Sequence, residues 1–151
     1  MKRKKTKAIK KTEIPQPIVF HTDGSGARPD GKGSAIAWIR ADTGEEYVET
    51  VDGLTNNQAE YRAIISAVEY SPIGSSVNIF SDSQLVIYQI SGRYCVRDPD
   101  LEELRNRVIR TVFVRSLEAS FQWIPRDQNR ADKLLRQHKA QGSSAKPEAA
   151  A

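Results

Sequence analysis

Apolar and polar positions along this chain follow two spacings, one typical of strands and one typical of helices. Short apolar segments bounded by turn-forming residues predict five strands, at residues 18–22, 35–40, 45–51, 77–81 and 119–124. Helical spacing and capping signals predict four helices, at residues 55–70, 82–90, 100–115 and 130–139. Three successive strands followed by alternating strands and helices indicate an α/β fold.

The order of these elements predicts how the sheet assembles. The first three strands can form an antiparallel meander, because residues 42–44 (Asp-Thr-Gly) give a hairpin signal between the second and the third. The later strands are separated by helices, which is typical of parallel pairing. We therefore predict a mixed five-stranded sheet flanked by helices. Sites in such sheets collect at strand ends. Asp23 and Asp82 each close a strand, and their carboxylates lie side by side if those two strands are parallel neighbours.

Composition divides the chain into a domain and two tails. Residues 1–14 begin with seven Lys or Arg in the first 11 positions and predict a disordered basic arm. Residues 15–140 suffice for one domain with an adequate core, and residues 141–151 predict a disordered tail.

No apolar run approaches the ~20 residues of a membrane span, and no secretory signal is evident. The single cysteine, Cys95, favours the reducing cytoplasm. No protein partner is evident, and we expect a monomer.

Charge is distributed unevenly along the chain, whose formal net charge is +4. Residues 12–92 hold four basic and eleven acidic side chains, whereas residues 93–136 hold ten basic and seven acidic ones. This division suits a protein that holds a metal with one side and a polyanion with the other. The alternative is scattered surface charge that happens to divide in this way.

Four acidic residues lie in distinct polar sequences and are candidate ligands of a divalent metal. They are Asp23 in His-Thr-Asp-Gly-Ser, Glu60 in Thr-Asn-Asn-Gln-Ala-Glu, Asp82 in Ser-Asp-Ser-Gln and Asp132 in Asn-Arg-Ala-Asp. Glu60 is the most informative, because Ile64 and Val68 place it on the apolar stripe of its predicted helix, which carries no Lys or Arg. A buried carboxylate needs a partner, and a metal supplies one. Taken singly, the three aspartates are typical of turns, caps and first helical turns.

Together these sequences resemble type 1 ribonuclease H over about residues 17–138. Residues 22–25 match the family's Thr-Asp-Gly-Ser, residues 55–60 match Thr-Asn-Asn-x-x-Glu, and residues 82–84 match Asp-Ser-Gln. Asp132 occupies the place of the fourth acid, on the last helix. The resemblance implies a ribonuclease H-like fold and an endonuclease that cleaves the RNA strand of an RNA/DNA hybrid.

The resemblance also implies ligands and substrate contacts. The four acids would hold two Mg²⁺ or Mn²⁺ ions, one generating the attacking hydroxide and the other stabilising the departing 3′ oxygen, to leave 5′-phosphate and 3′-hydroxyl ends. Carboxylate oxygens suit Mg²⁺. Asn56, Asn57 and Gln84 would line the minor groove, where the 2′-hydroxyl distinguishes RNA from DNA. Thr55 would hold a phosphate of the DNA strand, and Gly24 would also contact substrate. Helix capping is the alternative role of the two asparagines.

The sequence departs from many family members around the fourth acid. Residues 123–132 contain no Gly or His, so the Gly-His loop is absent, as in a subgroup found among archaeal and some bacterial members. The family's asparagine usually precedes the acid by four residues, whereas Asn129 precedes Asp132 by three, which leaves Asp127 as a second candidate. The basic protrusion is also missing, since only residues 92–99 join two helices. Phosphate contacts are expected instead at six basic residues, each of which has solvated surface as its alternative: Lys4, Lys5, Arg93, Arg97, Arg126 and Arg130.

Two histidines lie outside these motifs. His21 alternates with Asp23 on one strand face, so it either supports the site from behind or packs as an ordinary strand residue, and we prefer packing. His138 continues the apolar stripe of the last helix, which favours a structural role over proton transfer.

Other functions fit the sequence less well. The principal alternative is a non-catalytic ribonuclease H-like module that binds hybrid or structured RNA, but binding alone does not need four carboxylates beside a polyanion. A proofreading exonuclease would have Glu in place of Ser25, and a type 2 ribonuclease H would have Glu in place of Gly24. A general basic nucleic-acid-binding protein would spread its charge over the fold, whereas residues 12–151 are net acidic.

Overall fold

The computed structural model describes residues 16–142 and contains the five strands and four helices in the predicted order. The strands are β1 (Ile18–Ser25), β2 (Ala35–Arg40), β3 (Glu46–Thr50), β4 (Ser76–Ser81) and β5 (Glu118–Trp123). The helices are α1 (Asn56–Tyr70), α2 (Gln84–Ile90), α3 (Pro99–Val114) and α4 (Arg130–Gly142). The predicted basic arm and the predicted tail beyond residue 142 lie outside the described residues.

The strands form one mixed sheet in the order β3-β2-β1-β4-β5. β2 pairs antiparallel with both β1 and β3, which makes the predicted meander, while β4 pairs parallel with β1 and with β5. Thr22 of β1 lies opposite Ser81 of β4. The residues that follow, Asp23 and Asp82, are therefore neighbours at the same edge of the sheet. The condition under which the two carboxylates lie side by side, parallel pairing of β1 with β4, is therefore met.

Helices cover both faces of the sheet. The main core lies between the sheet and helices α1, α2 and α3, where Phe20 is fully buried. α4 covers the opposite face, where Leu135 packs against Ala37 of β2. Because side chains of a strand alternate between faces, His21 and Asp23 of β1 point toward the α4 side, opposite to Phe20. This alternation brings the last helix next to the first candidate metal ligand.

Side-chain caps set the first residues of α1 and α2. Thr55 Oγ1 accepts a hydrogen bond from Gln58 N, and Gln58 Oε1 accepts one from Thr55 N, which confirms the predicted capping box. α2 begins at Gln84 rather than at the predicted residue 82, because Ser83 is its N-cap and accepts a hydrogen bond from Val86 N at 3.2 Å. The residue at position 82 is thus left at the strand end, outside the helix.

The connection from β5 to α4 spans only residues 124–129. It contains a 3₁₀ turn at Arg126–Gln128 that the hydrophobic pattern did not predict. α4 then continues to Gly142, so the first two residues of the predicted tail are helical. No helix within residues 16–142 is both long and apolar enough to cross a membrane.

Candidate metal centre

Three of the predicted ligands converge at the edge of the sheet. Asp23 lies near the end of β1, Asp82 follows β4, and Asp132 lies in the first turn of α4. One carboxylate oxygen from each lies within 4.8 Å of the other two. Three carboxylates this close repel one another unless a cation or protons neutralise them. The three elements therefore bring together a group that is suited to a divalent metal.

Glu60 of α1 is not one of the three carboxylates within 4.8 Å of one another, but it lines the same cleft as Asp23 and Asp132. Its Oε1 is buried and has no hydrogen-bond partner among the described residues. Ile64 and Val68 of the same helix are fully buried, as the apolar stripe predicted. An unpartnered carboxylate oxygen beside other carboxylates is costly in the metal-free protein. A hard cation such as Mg²⁺ or Mn²⁺ would supply the missing partner, so the four residues fit such an ion.

The pKa values of these acids reflect the same crowding. Burial raises the pKa of Asp23 to about 7, helped by the charges of Asp82 and Asp132. Burial also raises the pKa of Glu60 to about 9, with Asp23 and Asp82 adding to the shift. Burial raises the pKa of Asp82 as well, while a hydrogen bond from Asn129 and the charge of Arg126 act in the opposite direction. The acids are therefore costly to ionise together without a cation.

Gly24 allows β1 and α1 to come close enough to form this cluster. A Cβ atom at Gly24 would lie 2.2 Å from the carbonyl carbon of Ala59 and 2.5 Å from the nitrogen of Glu60. These are backbone atoms, so no side-chain rotation relieves the contact. Glycine is required at this position because the strand end lies directly on the helix that carries Glu60.

Asn129, the residue before α4, links three parts of the site. Its Nδ2 donates to the carbonyl oxygen of Thr22 at 2.9 Å and to Asp82 Oδ2 at 3.0 Å. Its Oδ1 accepts a hydrogen bond from Ala131 N at 2.9 Å and so caps the helix. The sequence showed Asn129 only as a spacing marker, although an asparagine before a helix is a common cap. Its buried bridge to Asp82 is a tertiary contact.

His21 holds the next residue of the same helix. Its Nδ1 accepts a hydrogen bond from Arg130 N at 3.0 Å. Burial lowers the pKa of His21, and the nearby charge of Arg130 lowers it further. The neutral imidazole can therefore keep an unprotonated nitrogen for this contact. His138, by contrast, pairs its Nε2 with Thr50 Oγ1 of β3 at 3.0 Å, outside the acidic cluster.

The structure also separates the two candidates for the fourth acid. Asp132 belongs to the acidic cluster and forms an ion pair with Arg136 Nη2 at 2.8 Å, one helical turn later. Asp127 lies exposed in the 3₁₀ turn and lines a different hollow, together with Glu46 and Lys133. The geometry therefore favours Asp132 as the fourth ligand.

A cleft of about 290 Å³ opens beside the acids. Three cationic residues line it together with the carboxylates: Arg126, Arg136 and Lys139. Lys139 hydrogen-bonds Ser25 Oγ across the cleft. The sequence predicted Arg126 as a phosphate contact but did not single out the other two. The i,i+4 spacing of Asp132 and Arg136 is the signal that was available for Arg136.

The predicted substrate residues occupy several positions around this cleft. Asn56 lines it and accepts a hydrogen bond from Gly26 N at 2.7 Å, while Thr55 is engaged in the capping box. Asn57 follows in the first turn of α1, and Gln84 is exposed at the start of α2. The N-cap of α1 is therefore Thr55 and not one of the two asparagines. Asn56 instead ties the β1–β2 loop to α1.

The predicted phosphate contacts are more dispersed. The guanidinium of Arg93 lies over the ring of Tyr88, 4.3 Å from its centroid, and Arg97 is exposed in the α2–α3 loop. Arg130 donates from Nη1 to the carbonyl oxygen of Ala41 and lines the hollow that contains Asp127. Arg126 is the member of this predicted set that lines the acidic cleft. Lys4 and Lys5 lie outside the described residues.

Comparison with known proteins identifies the family. The family model described as RNase H matches residues 15–139, which is most of the chain. The chain belongs to the RNase H family. Within this family it resembles the type 1 members that lack the basic protrusion, because residues 91–98 join α2 directly to α3. The RNase H fold thus accounts for the mixed sheet, its flanking helices and the acids at its edge.

Curated relatives share about a third of their residues with this chain. "Ribonuclease HI" of Halobacterium salinarum is 37% identical over 108 residues, which cover 67% of this chain and 54% of that protein. "Bifunctional protein Rv2228c" of Mycobacterium tuberculosis is 34% identical over 129 residues, which cover 78% of this chain and 34% of that protein. The chain therefore spans about a third of the mycobacterial relative and about half of the halobacterial one.

Solved RNase H structures superpose closely on this fold. RNase H1 from Halobacterium salinarum matches with a TM-score of 0.66 and 32% identity, covering 79% of this chain and 94% of that chain. LC11-RNase H1, whose crystal structure is a complex with an RNA/DNA hybrid, matches with a TM-score of 0.72 and 29% identity, covering 84% of this chain and 99% of that one.

Proposed function

We propose that this protein is a metal-dependent ribonuclease H that hydrolyses the RNA strand of RNA/DNA hybrids. The observation that carries the proposal is the convergence of Asp23, Asp82 and Asp132 within 4.8 Å, beside the unpartnered buried oxygen of Glu60. Family membership agrees with this activity, and the LC11 relative binds a hybrid of the same kind. We also propose a cytoplasmic location and a monomeric state, which rest on the sequence.

The four acids would hold two Mg²⁺ ions, or Mn²⁺ ions in their place. When bound, the ions would activate a water for attack on the scissile phosphate and stabilise the departing 3′ oxygen, which gives 5′-phosphate and 3′-hydroxyl ends. The chain contributes the ligands from four separate elements, and Asn129 fixes the orientation of Asp82 through its 3.0 Å hydrogen bond. Contacts of this kind behind a ligand restrict its rotation and preserve its charge for the metal.

Cationic side chains in the cleft would hold the substrate phosphates. Arg126, Arg136 and Lys139 lie on the wall of the cleft where the acids meet α4. A polyanion approaching four carboxylates is repelled unless positive charge lies beside them. Arg136 neutralises Asp132 in the metal-free protein, and its side chain remains largely exposed. It is therefore available to a phosphate once a cation takes over Asp132.

Residues at the start of α1 and α2 would recognise the hybrid itself. We propose that Asn56, Asn57 and Gln84 contact the minor groove, where amide groups can bond the 2′-hydroxyl of RNA as well as base edges. Thr55 and Gly24 would complete this surface, with Thr55 near a DNA phosphate. The exposed position of Gln84 at the start of α2 and the presence of Asn56 and Gly24 in the cleft support this arrangement.

Cleavage of an end-labelled RNA/DNA hybrid tests the proposal. The reactions would contain Mg²⁺, Mn²⁺ or EDTA, with double-stranded DNA and double-stranded RNA of the same sequence as matched substrates. We expect cuts confined to the RNA strand of the hybrid, dependent on the metal and leaving 5′-phosphate ends. Binding of the hybrid without cleavage in either metal would instead identify a non-catalytic hybrid-binding module and overturn the proposal.

A further inference from the structure

The start of α4 must be held in place for Asp132 to lie beside Asp23 and Asp82. Only residues 124–129 separate β5 from α4, and Asp132 follows two residues after the helix begins. The first N–H groups of a helix have no partner within the helix. Whatever binds them at this helix also fixes where the Asp132 carboxylate lies relative to Asp23 and Asp82.

A side chain of β1 binds the first of these N–H groups. His21 Nδ1 accepts the hydrogen bond from Arg130 N at 3.0 Å, and Arg130 is the first residue of α4. The imidazole is held in turn by the ring of Phe80 in β4, edge to face, with centroids 5.6 Å apart. His21 therefore connects the central strands of the sheet directly to the start of the helix.

The position of His21 in β1 makes this contact relevant to the metal site. His21 and Asp23 are two residues apart in one strand and lie on the same face. Arg130 and Asp132 are likewise two residues apart at the start of α4. The hydrogen bond between His21 and Arg130 therefore joins β1 to α4 two residues away, in each element, from the neighbouring carboxylates of Asp23 and Asp132. Two other contacts hold the start of α4: Asn129 caps it and reaches the carbonyl oxygen of Thr22, and Arg130 Nη1 donates to the carbonyl oxygen of Ala41. His21 differs from both because its side chain accepts from the first backbone N–H of the helix.

We propose that His21 is a positioning residue of the nuclease: its Nδ1 docks the N-terminus of α4 on β1 and so holds Asp132 within reach of the same cation as Asp23. This inference rests on the proposed metal-dependent function. The feature that matters is a hydrogen-bond acceptor at the location of Nδ1, whereas the ring contributes packing against Phe80. Ligand-orienting contacts outside the first coordination shell commonly change metal affinity or activity by about ten- to a hundredfold.

Two substitutions separate the acceptor from the ring. His21→Phe keeps an aromatic ring against Phe80 but has no acceptor for Arg130 N. His21→Asn loses the ring but places a side-chain oxygen about as far from the backbone as Nδ1. If docking depends on the acceptor, the Asn variant retains the function of the wild type and the Phe variant does not. If His21 only packs against Phe80, the Phe variant retains the function and the Asn variant loses it.

The first readout is amide hydrogen exchange at Arg130 in the metal-free protein, which needs neither metal nor substrate. We expect exchange at least about fivefold faster in His21→Phe, corresponding to the loss of one hydrogen bond, and near the wild-type rate in His21→Asn. The second is calorimetric Mg²⁺ titration without nucleic acid, in which His21→Phe should bind about tenfold more weakly. The third is hybrid cleavage, in which kcat should fall while KM for the hybrid changes less than about twofold.

The outcomes distinguish this inference from the function it rests on. Unchanged Arg130 exchange and unchanged Mg²⁺ affinity in His21→Phe would overturn the positioning role, even if the wild type cleaves hybrids. If His21→Phe and His21→Asn lose amide protection at Arg130 and Mg²⁺ affinity to the same extent, the positioning role is also overturned. The acceptor that Asn retains would then have no effect on docking. A wild-type protein that fails to cleave would instead overturn the proposed nuclease, while the exchange and titration data would still report on docking.

Discussion

The amide of Asn129 and the carboxylate of Asp82 are joined by a hydrogen bond of 3.0 Å, so the residue before α4 and the residue after β4 are held together. The same amide nitrogen reaches the carbonyl oxygen of Thr22 in β1. One buried side chain thus ties together the three elements that supply Asp23, Asp82 and Asp132. The same side chain caps α4 through Ala131 N, so it also supports the helix that carries Asp132.

Substitution of Asn129 by Ala should therefore impair both stability and catalysis. It leaves the buried carbonyl oxygen of Thr22 without this donor, which should cost about 1–3 kcal/mol of unfolding free energy. It also frees the Asp82 carboxylate to rotate, so we expect kcat to fall about ten- to a hundredfold. Urea unfolding and single-turnover cleavage measure the two effects. Asn106→Ala, an exposed substitution on α3, serves as the control and should change neither; equal behaviour of the two variants contradicts the bridge.

Substitution of the proposed metal ligand Asp82 by Asn should abolish turnover and leave the fold intact. The cation loses one of its carboxylates, and several kcal/mol of transition-state stabilisation correspond to at least about a hundredfold in rate. Hybrid binding should be unchanged or tighter, because a negative charge beside the substrate phosphates is lost. Cleavage rates and filter-binding affinities test both statements. The exposed Glu102→Gln removes the same charge from α3 and should remain active; near-normal activity of Asp82→Asn rules out the metal-site model.

Stability of the metal-free protein should fall as the pH rises from 7 to 9. The pKa of Asp23 is raised to about 7 and that of Glu60 to about 9, both far above their values of 3.8 and 4.5 in an unfolded chain. The folded state therefore binds more protons than the unfolded state, and the stability due to these groups is lost as the pH passes through the raised pKa values. Thermal unfolding in EDTA across this range measures the effect, and Mg²⁺ should remove most of the decline.

The variant Glu60→Gln identifies the group responsible for this pH dependence. The amide cannot ionise, so the unfolding temperature in EDTA should decline less steeply between pH 7 and 9 than it does in the wild type. The same variant should gain less stability from Mg²⁺, since one ligand is missing. A decline as steep as that of the wild type would show that another group is responsible.

Substitution of Gly24 by Ala should disrupt the contact between β1 and α1. The added Cβ would lie 2.2 Å from a backbone carbonyl carbon, so either the strand end or the helix must shift. We expect a loss of at least about 2 kcal/mol in unfolding free energy and a weaker response of stability to Mg²⁺. Gly44→Asn is the matched control, because Gly44 has a φ of 88° and open space around it. Asparagine tolerates that conformation, so the control should cost about 1 kcal/mol or less.

Deletion of residues 1–11 should weaken hybrid binding without changing the chemistry. The segment carries seven Lys or Arg, whose contacts with phosphates release counterions. The dependence of log affinity on log salt concentration should become shallower by about one unit or more, while kcat at saturating hybrid stays constant. Binding isotherms at several salt concentrations, with single-turnover rates alongside, test this. A fall in kcat at saturation would assign the segment a role beyond tethering.

The fold and the acidic cluster were largely predictable, because the spacing of apolar residues within a helix or strand indicates which of its side chains face the core. The stripe through Ile64 and Val68 placed Glu60 toward the core, and the structure buries one of its oxygens without a partner. The strand ends at Asp23 and Asp82 predicted a shared edge, which the parallel register of β1 and β4 confirms. Each of these inferences depends on residues close together in the sequence, where spacing determines which side of an element a residue occupies.

Contacts between elements distant in the sequence were harder to predict. Nothing near His21 indicates that a helix beginning more than 100 residues later needs an acceptor there, so packing was the preferred interpretation of its side chain. Arg130 was predicted as a phosphate contact, yet its guanidinium reaches the carbonyl oxygen of Ala41. Its role toward substrate stays a prediction. These contacts depend on how α4 sits on the sheet, which the periodicity of a single helix does not encode.

The four acids come from β1, α1, the end of β4 and α4, so no contiguous half of the chain contains the whole cluster. A growing polypeptide emerging from the ribosome would therefore lack an intact cation site until α4 had been made and had docked on the sheet. The proposed hybrid cleavage would therefore require the complete domain, because its acids are brought together only when the last helix packs on the sheet.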